Sequence, residues 1–386
     1  MSANDNISRS APRINGESIS CDVDVAEEKG VEFVAKARVP INAVMVSASG
    51  AKLNNGNWHT AHRWAKFLSG HCDIEVVEHW LDGPQIPSRE PQIMVALHAR
   101  RSAPSITAWA KAYPDKPLIV VLTGTDLYRD IAFDSSAQQS LNLATHLVVL
   151  QGAGLAMVPE ALRSKTHVIY QSAPLLKPAV KSKQYFRALM VGHLREEKDP
   201  LTFMTAAIQT SVQTSTADTT DIYFDQIGQA LDPFFADEAL ATAQQTTRYR
   251  WLGGLPRAAT RQHIKRAHVL VNCSKMEGGA QVILEAVQSG TPVLASRVDG
   301  NVGMLGTDYL GYFEWGNHAE LAALIKRCAT DLGFLEQLKN QCLQRSPLFM
   351  PIQEKRLVIN LVLSALSSPS AFNALNVPKA LNTPPL

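Results

Sequence analysis

Short runs that are apolar from end to end recur along this chain, and helical segments separate most of them. Residues 93–97 read IMVAL and residues 118–122 read LIVVL, with no polar alternation. A strand with one wet face alternates apolar and polar side chains; a strand covered on both faces need not. Strands of the second kind belong to parallel sheets wrapped by crossover helices. One series of strands is expected at residues 41–46, 74–77, 93–97, 118–122, 147–150 and 167–170, with helices at 60–68, 102–112 and 135–143. A second series is expected at 186–191, 220–225, 249–252, 269–271, 293–295 and 312–313, with helices at 200–214, 233–243, 258–267, 281–289 and 319–330. Between them the stretch QSAPLLKPAVKSKQ (residues 171–184), with two prolines and three lysines, reads as a linker. The expected fold class is therefore α/β, with two doubly wound parallel sheets facing across a cleft. Their expected bounds are residues 40–175 and 185–350, joined by a linker over 176–184 and followed by a terminal helix at 351–366.

Length agrees, since 386 residues exceed what one core usually organises. A net charge of +2 disfavours a chain that mainly coats nucleic acid or membrane, so neither partner is expected. No apolar stretch reaches the ~20 residues of a membrane-spanning helix, and the first thirty residues lack the apolar region of a secretory signal. Residues 1–39 read as a polar tail, with a short helix over 23–36 as the alternative, and residues 367–386 as a frayed end. The five cysteines (Cys21, Cys72, Cys273, Cys328 and Cys342) are widely spaced with no C-x-x-C. They fit a reducing cytoplasm better than a disulfide framework or a zinc site.

The densest chemistry lies in SKMEGGAQVILEA, residues 274–286. An expected strand runs into Glu277, then Gly278 and Gly279, then a helix. Glycines at a helix start leave backbone N–H groups open, and the positive end of the helix dipole favours an anion. Glu285 lies eight positions beyond Glu277, about 12 Å along a helix at ~1.5 Å per residue. A diphosphate held at Gly278, Gly279 and Ala280 would have one carboxylate near the sugar beyond it and the other near the ribose. A glycine turn followed by two surface glutamates is the plainer alternative.

The E-x7-E pattern followed by SGTPVLAS (residues 289–296) resembles the retaining glycosyltransferases of family 4, over roughly residues 41–350. The resemblance implies the GT-B architecture: two Rossmann-like domains facing across a cleft, the second binding a nucleotide sugar. It implies that Glu277 contacts the transferred sugar and Glu285 the ribose. The segment GHLREEKDP (residues 192–200) stands where the family carries Gly-Arg and, five residues on, a Lys that shares the diphosphate. Gly192 and Lys198 match, but His193 occupies the Arg position, which leaves Arg195 or His193 itself to meet the phosphate. A leaving diphosphate needs such partners because its charge grows in the transition state. A solvated turn beside Glu196 and Glu197 accounts for Arg195 equally well. Asn301 and Gly303 are expected to shape the sugar side of the pocket.

Four further phrases narrow the resemblance: NNGNWHT (54–60), LHARRS (97–102), LTGTDLYRD (122–130) and GNVGMLG (300–306). With the two segments above they are similar to the selenosugar synthases of selenoneine biosynthesis. That similarity implies a cytoplasmic enzyme that joins selenophosphate to the sugar of a UDP-sugar, chiefly UDP-GlcNAc, releasing UDP and phosphate. A small, doubly charged acceptor needs cations on the first-domain side. His98, Arg100 and Arg101 directly follow a strand, where ligand-facing loops lie, and an Arg fork binds phosphate oxygens two at a time. Neighbouring arginines on an extended chain point apart, so only one is expected at the acceptor. Thr123, Gly124 and Thr125 follow another strand. Asp126 either bonds sugar or acceptor or caps a helix, and Arg129 is a further phosphate candidate. Asn55, Gly56 and Asn57 are expected near the diphosphate or acceptor, although a plain strand-to-helix turn explains them equally well. No D-x-D motif stands in a suitable place, so neither metal nor other cofactor is expected. The rival readings are a glycosyltransferase with a hydroxyl or thiol acceptor, a non-catalytic nucleotide-sugar binder and a GT-B epimerase that makes UDP without a second substrate.

Overall fold

The computed structural model describes residues 41–48, 56–80, 90–213 and 221–367. The expected N-terminal tail with its alternative helix, residues 368–386 and Asn55 lie outside the described residues.

The first half forms a six-stranded parallel sheet from β1 (Ile41–Ser47), β2 (Cys72–Val77), β3 (Ile93–Leu97), β4 (Leu118–Leu122), β5 (His146–Val149) and β6 (Thr166–Val168). Its helices are α1 (Gly56–Leu68), α2 (Ala103–Ala112), α3 (Ile131–Phe133), α4 (Ser135–Leu143) and α5 (Gly154–Met157). β3 and β4 are buried at every position, as their unbroken apolar sequences require. Ile93, Val95 and Leu97 join one core cluster with Trp64 of α1, while Met94 and Ala96 join another with Trp109 of α2. The period-2 pleat thus divides one apolar run between two cores.

The second half repeats the plan with β7 (Tyr185–Val191), β8 (Asp221–Ile227), β9 (Tyr249–Trp251), β10 (Val269–Asn272), β11 (Val293–Ser296) and β12 (Tyr312–Phe313). Helices α6 (Pro200–Gln213), α7 (Pro233–Gln245), α8 (Arg257–Arg266), α9 (Gln281–Val287) and α10 (Asp299–Leu305) lie among the strands. Helices α11 (His318–Thr330) and α12 (Leu332–Arg345) follow. Neither α10 nor α12 was expected from the sequence. The signal for α12 was present, because Asp331 caps it by accepting from Phe334 N, and Phe334, Leu338 and Cys342 recur at four-residue spacing on its buried side.

The last helix, α13 (Pro351–Ser367), returns to the first half. Val358, Leu361, Val362 and Ala365 enter the cluster that holds Trp64. Buried Glu354 accepts three contacts from Arg63 Nε and Nη2 at 2.9–3.1 Å, one from Trp64 Nε1 at 2.7 Å and one from Ser172 Oγ at 2.5 Å. One carboxylate therefore ties together α1, the linker and α13.

Strand order places the ligand-facing loops. The first sheet runs β2-β1-β3-β4-β5-β6 and reverses direction between β1 and β3. The second runs β12-β11-β10-β7-β8-β9 and reverses between β7 and β10. Loops leaving the carboxyl ends of strands at such a switch point splay apart and leave a crevice.

Candidate active site

A cavity of about 460 Å³ is lined by these loops from both halves. The first half contributes Gly56, Asn57, His98, Arg101 and residues 123–125. The second contributes Gly192, His193, Arg195, Glu197, Lys198 and residues 276–282.

Two glycines let the halves meet backbone to backbone. A Cβ at Gly278 would lie 2.2 Å from Thr123 O, and one at Gly279 would lie 2.8 Å from Leu150 Cβ. Opposite them, Gly124 has φ +149° and sits with Gly278 N only 3.2 Å from where its own Cβ would be. The regular helix begins later, at Gln281 with Ala280 as its cap. Gly278 and Gly279 thus form the approach to α9 rather than its first turn, which corrects the expected role of a glycine-opened helix start.

On the second half, Lys198 Nζ pairs closely with Glu277 Oε1, which also accepts from Ser274 Oγ at 2.6 Å and Asn272 Nδ2 at 3.5 Å. Burial pushes the Glu277 carboxyl up, but Lys198 and these donors outweigh it and hold it below the usual carboxylate range. Burial, and then the positive Arg195 and Lys198, press the His193 imidazole below its ordinary value, so it is neutral near pH 7. Arg195 lies in the cavity wall with Nε 3.7 Å from Glu197 Oε2.

On the first half, the turn after β3 directs Arg101 into the cavity wall and Arg100 away from it. Arg100 Nε donates to Asp130 Oδ2 at 2.7 Å, and that bond strengthens its hold on its proton. Arg101 experiences the reverse, because burial and then the guanidiniums of Arg100 and Arg195 disfavour its charge. Two guanidiniums from opposite halves thus act on one space, an arrangement that an anion would relieve. His98 and Thr125 share the same wall, with His98 Nε2 3.0 Å from Thr125 Oγ1.

Several expectations require correction. Asp126 is fully buried, does not line the cavity and does not cap a helix through its side chain. Its carboxylate accepts from the backbone N–H groups of Ala99, Thr123 and Gly124, each at 2.9 Å, and so ties the turn after β3 to the turn after β4. Arg129 donates to Asp130 at 3.1 Å and reaches Glu197 of the other half at 3.6 Å, outside the lining. Glu285 also lies outside it, where it accepts from Arg257 Nε and Nη2 at 3.1 and 2.9 Å. Asn301 is fully buried and donates to Ser296 O and Oγ at 3.0 and 3.1 Å, which makes it a brace between β11 and α10.

The sequence reading missed Glu197, Gln171, Gln229 and Leu231, all of which line the cavity. Glu196 and Glu197 looked alike in a charged turn, yet only Glu197 faces inward. Gln229 follows Gly228, whose φ of +154° and close approach to Gly192 O mark a tight loop after β8. Among the described residues no group of three or more His, Cys, Asp and Glu side chains gathers as a metal site would. No described helix is long and apolar enough to cross a membrane.

Residues 174–344 match the family of glycosyl transferases group 1. A stretch of 111 residues, 29% of this chain, is 30% identical to glycosyltransferase 1 domain-containing protein 1 of Xenopus tropicalis and covers 32% of it. The match thus spans about a third of that curated relative's length. Among solved structures, HepE of Anabaena in complex with UDP and glucose aligns with a TM-score of 0.63 at 17% identity, over 84% of this chain and all of that one. Sucrose-phosphate synthase from Thermosynechococcus elongatus aligns with a TM-score of 0.66 at 14% identity, over 85% of this chain and 99% of that one. The pneumococcal O-GlcNAc transferase GtfA, in complex with UDP and GlcNAc, aligns with a TM-score of 0.59 at 16% identity, over 71% and 57% of the two chains. With two parallel six-stranded sheets, the fold is GT-B.

Proposed function

From a second half that matches the group 1 glycosyl transferases within a GT-B fold, we propose that this chain transfers the sugar of a UDP-sugar, chiefly UDP-GlcNAc, to selenophosphate. The observation that carries the reading is the convergence of Arg101 from one half with His193, Arg195 and Lys198 from the other on a single cavity. Structural relatives bound to UDP with glucose or GlcNAc support the donor class. The buried cysteines Cys72, Cys273, Cys328 and Cys342, all free thiols, support a cytoplasmic setting.

In this mechanism, selenium forms a bond to the anomeric carbon while the bond from that carbon to the diphosphate oxygen breaks. Lys198, with Arg195, offsets the charge that collects on the departing UDP, or neutral His193 donates a hydrogen bond to it. Water then cleaves the P–Se bond to give phosphate and the 1-seleno-sugar. Selenium is a soft nucleophile, ionised near neutral pH, so the chain's task is to position it rather than to deprotonate it. Glu277, buried beside Lys198, faces the sugar.

Incubation of the protein and UDP-GlcNAc with and without selenophosphate tests this reading by mass spectrometry. UDP and a selenium-bearing sugar are expected only when both substrates are present. Equal UDP release without selenophosphate would sink the synthase reading, turnover with an alcohol would favour a conventional transferase, and binding without any UDP release would leave a non-catalytic binder.

A further inference from the structure

We infer that Thr125 donates its hydroxyl proton to an oxygen of an anionic acceptor, and that His98 is the positioning residue that fixes this direction. The inference rests on the reading of the acceptor as a phosphate-like oxyanion and assigns the group that recognises it.

His98 directly follows β3 with φ +75°, a left-handed backbone uncommon outside glycine, and only 2% of its surface is exposed. The sharp turn brings Arg101 N–H to His98 Nδ1 at 3.3 Å and Ser102 N–H to His98 O at 3.0 Å. A ring nitrogen that accepts an N–H cannot carry the proton of a neutral imidazole, so the proton resides on Nε2. Nε2–H then donates to Thr125 Oγ1 at 3.0 Å. The carboxylates of Asp126 and Asp130 stand 3.8 and 3.9 Å from the ring, but both are engaged. Asp126 accepts three backbone N–H groups, and Asp130 holds Arg100 and Arg129.

Thr125 Oγ1 therefore accepts a hydrogen bond from behind and has its own hydroxyl proton to donate. Thr125 lines the same cavity as Arg101, so that proton can serve an oxygen the guanidinium attracts. Both His98 nitrogens are committed, which leaves the imidazole unable to take a proton from an alcohol. This corner of the site thus suits an acceptor that arrives already ionised.

Isothermal titration of inorganic phosphate into the full-length, UDP-saturated protein tests the assignment. Thr125→Val should weaken phosphate about tenfold or more, the loss of a hydrogen bond to a charged group, whereas Thr125→Ser should stay within about threefold of wild type by keeping that bond. His98→Asn, which tolerates the left-handed backbone, should weaken phosphate less than Thr125→Val does, and UDP affinity should be unchanged in all three. If Thr125→Val binds phosphate like wild type while Arg101→Ala loses it, the donor role of Thr125 is wrong and the anion site stands. If Arg101→Ala also binds normally, the acceptor reading itself fails. Joint loss of phosphate and UDP in Thr125→Val would overturn the inference too, by showing that the hydroxyl holds the loop rather than the ligand.

Discussion

Arg100 and Arg101 have the same chemistry and opposite fates. Arg100 is spent on Asp130, whereas Arg101 lines the cavity opposite Arg195. Arg101→Ala should raise the Michaelis constant for selenophosphate about 10- to 100-fold, the range for charge-assisted bonds, and leave UDP affinity intact. Arg100→Ala should change that constant by less than about threefold, since Arg100 lies outside the cavity lining and Arg129 still pairs with Asp130. Steady-state kinetics on the two variants decides the matter, and equal effects would contradict the assignment. The sequence limited the choice to one of the two arginines but not to which, because the deciding partner lies thirty residues further on. Asp126 was misread for a related reason: a carboxylate in a loop after a strand looks like a ligand group until its backbone partners are known. Lys198 and Glu277 were each legible as motif residues, yet their pairing across 79 positions was not.

At the level of elements, the buried strands were the most legible feature, since an unbroken apolar run of five has little other use in an α/β chain. The glycines were legible as glycines but not for what they touch. Gly278 faces the backbone carbonyl of Thr123, so Gly278→Ala must part the two loops. That variant should lose about 100-fold in kcat/KM, the scale of a 1 Å misplacement, with its far-UV circular dichroism unchanged; near-normal turnover would mean that the contact is dispensable. The return of α13 left no mark in local sequence because its anchor, Glu354, finds Arg63 and Trp64 some 290 residues away. Glu354→Ala strands a largely buried Arg63 and should cost about 3–5 kcal/mol in urea unfolding. A loss below about 1 kcal/mol would assign α13 a lesser role than its contacts suggest.

Across the whole molecule, burial lowers the proton affinity of seven described histidines: His59, His98, His146, His167, His193, His263 and His268. The unfolded chain binds protons at these sites near pH 6.5, whereas the folded chain binds them only at lower pH. Unfolding therefore takes up protons below about pH 6.5, and stability rises with pH up to that point and levels off above it. The urea midpoint should be lower at pH 5.5 than at pH 7.5, and a midpoint that holds or rises on acidification would contradict the burial of these rings. Function at this scale depends on two Rossmann-like halves presenting complementary groups to one cavity. The most direct check is a crystal structure of the protein with UDP and inorganic phosphate together. The diphosphate should lie within hydrogen-bonding distance of Lys198, and the free phosphate should sit against Arg101 and Thr125 in the same cavity. Nucleotide bound away from Lys198 and Glu277, or phosphate absent from Arg101 at saturating concentration, would contradict the proposed division of labour between the halves.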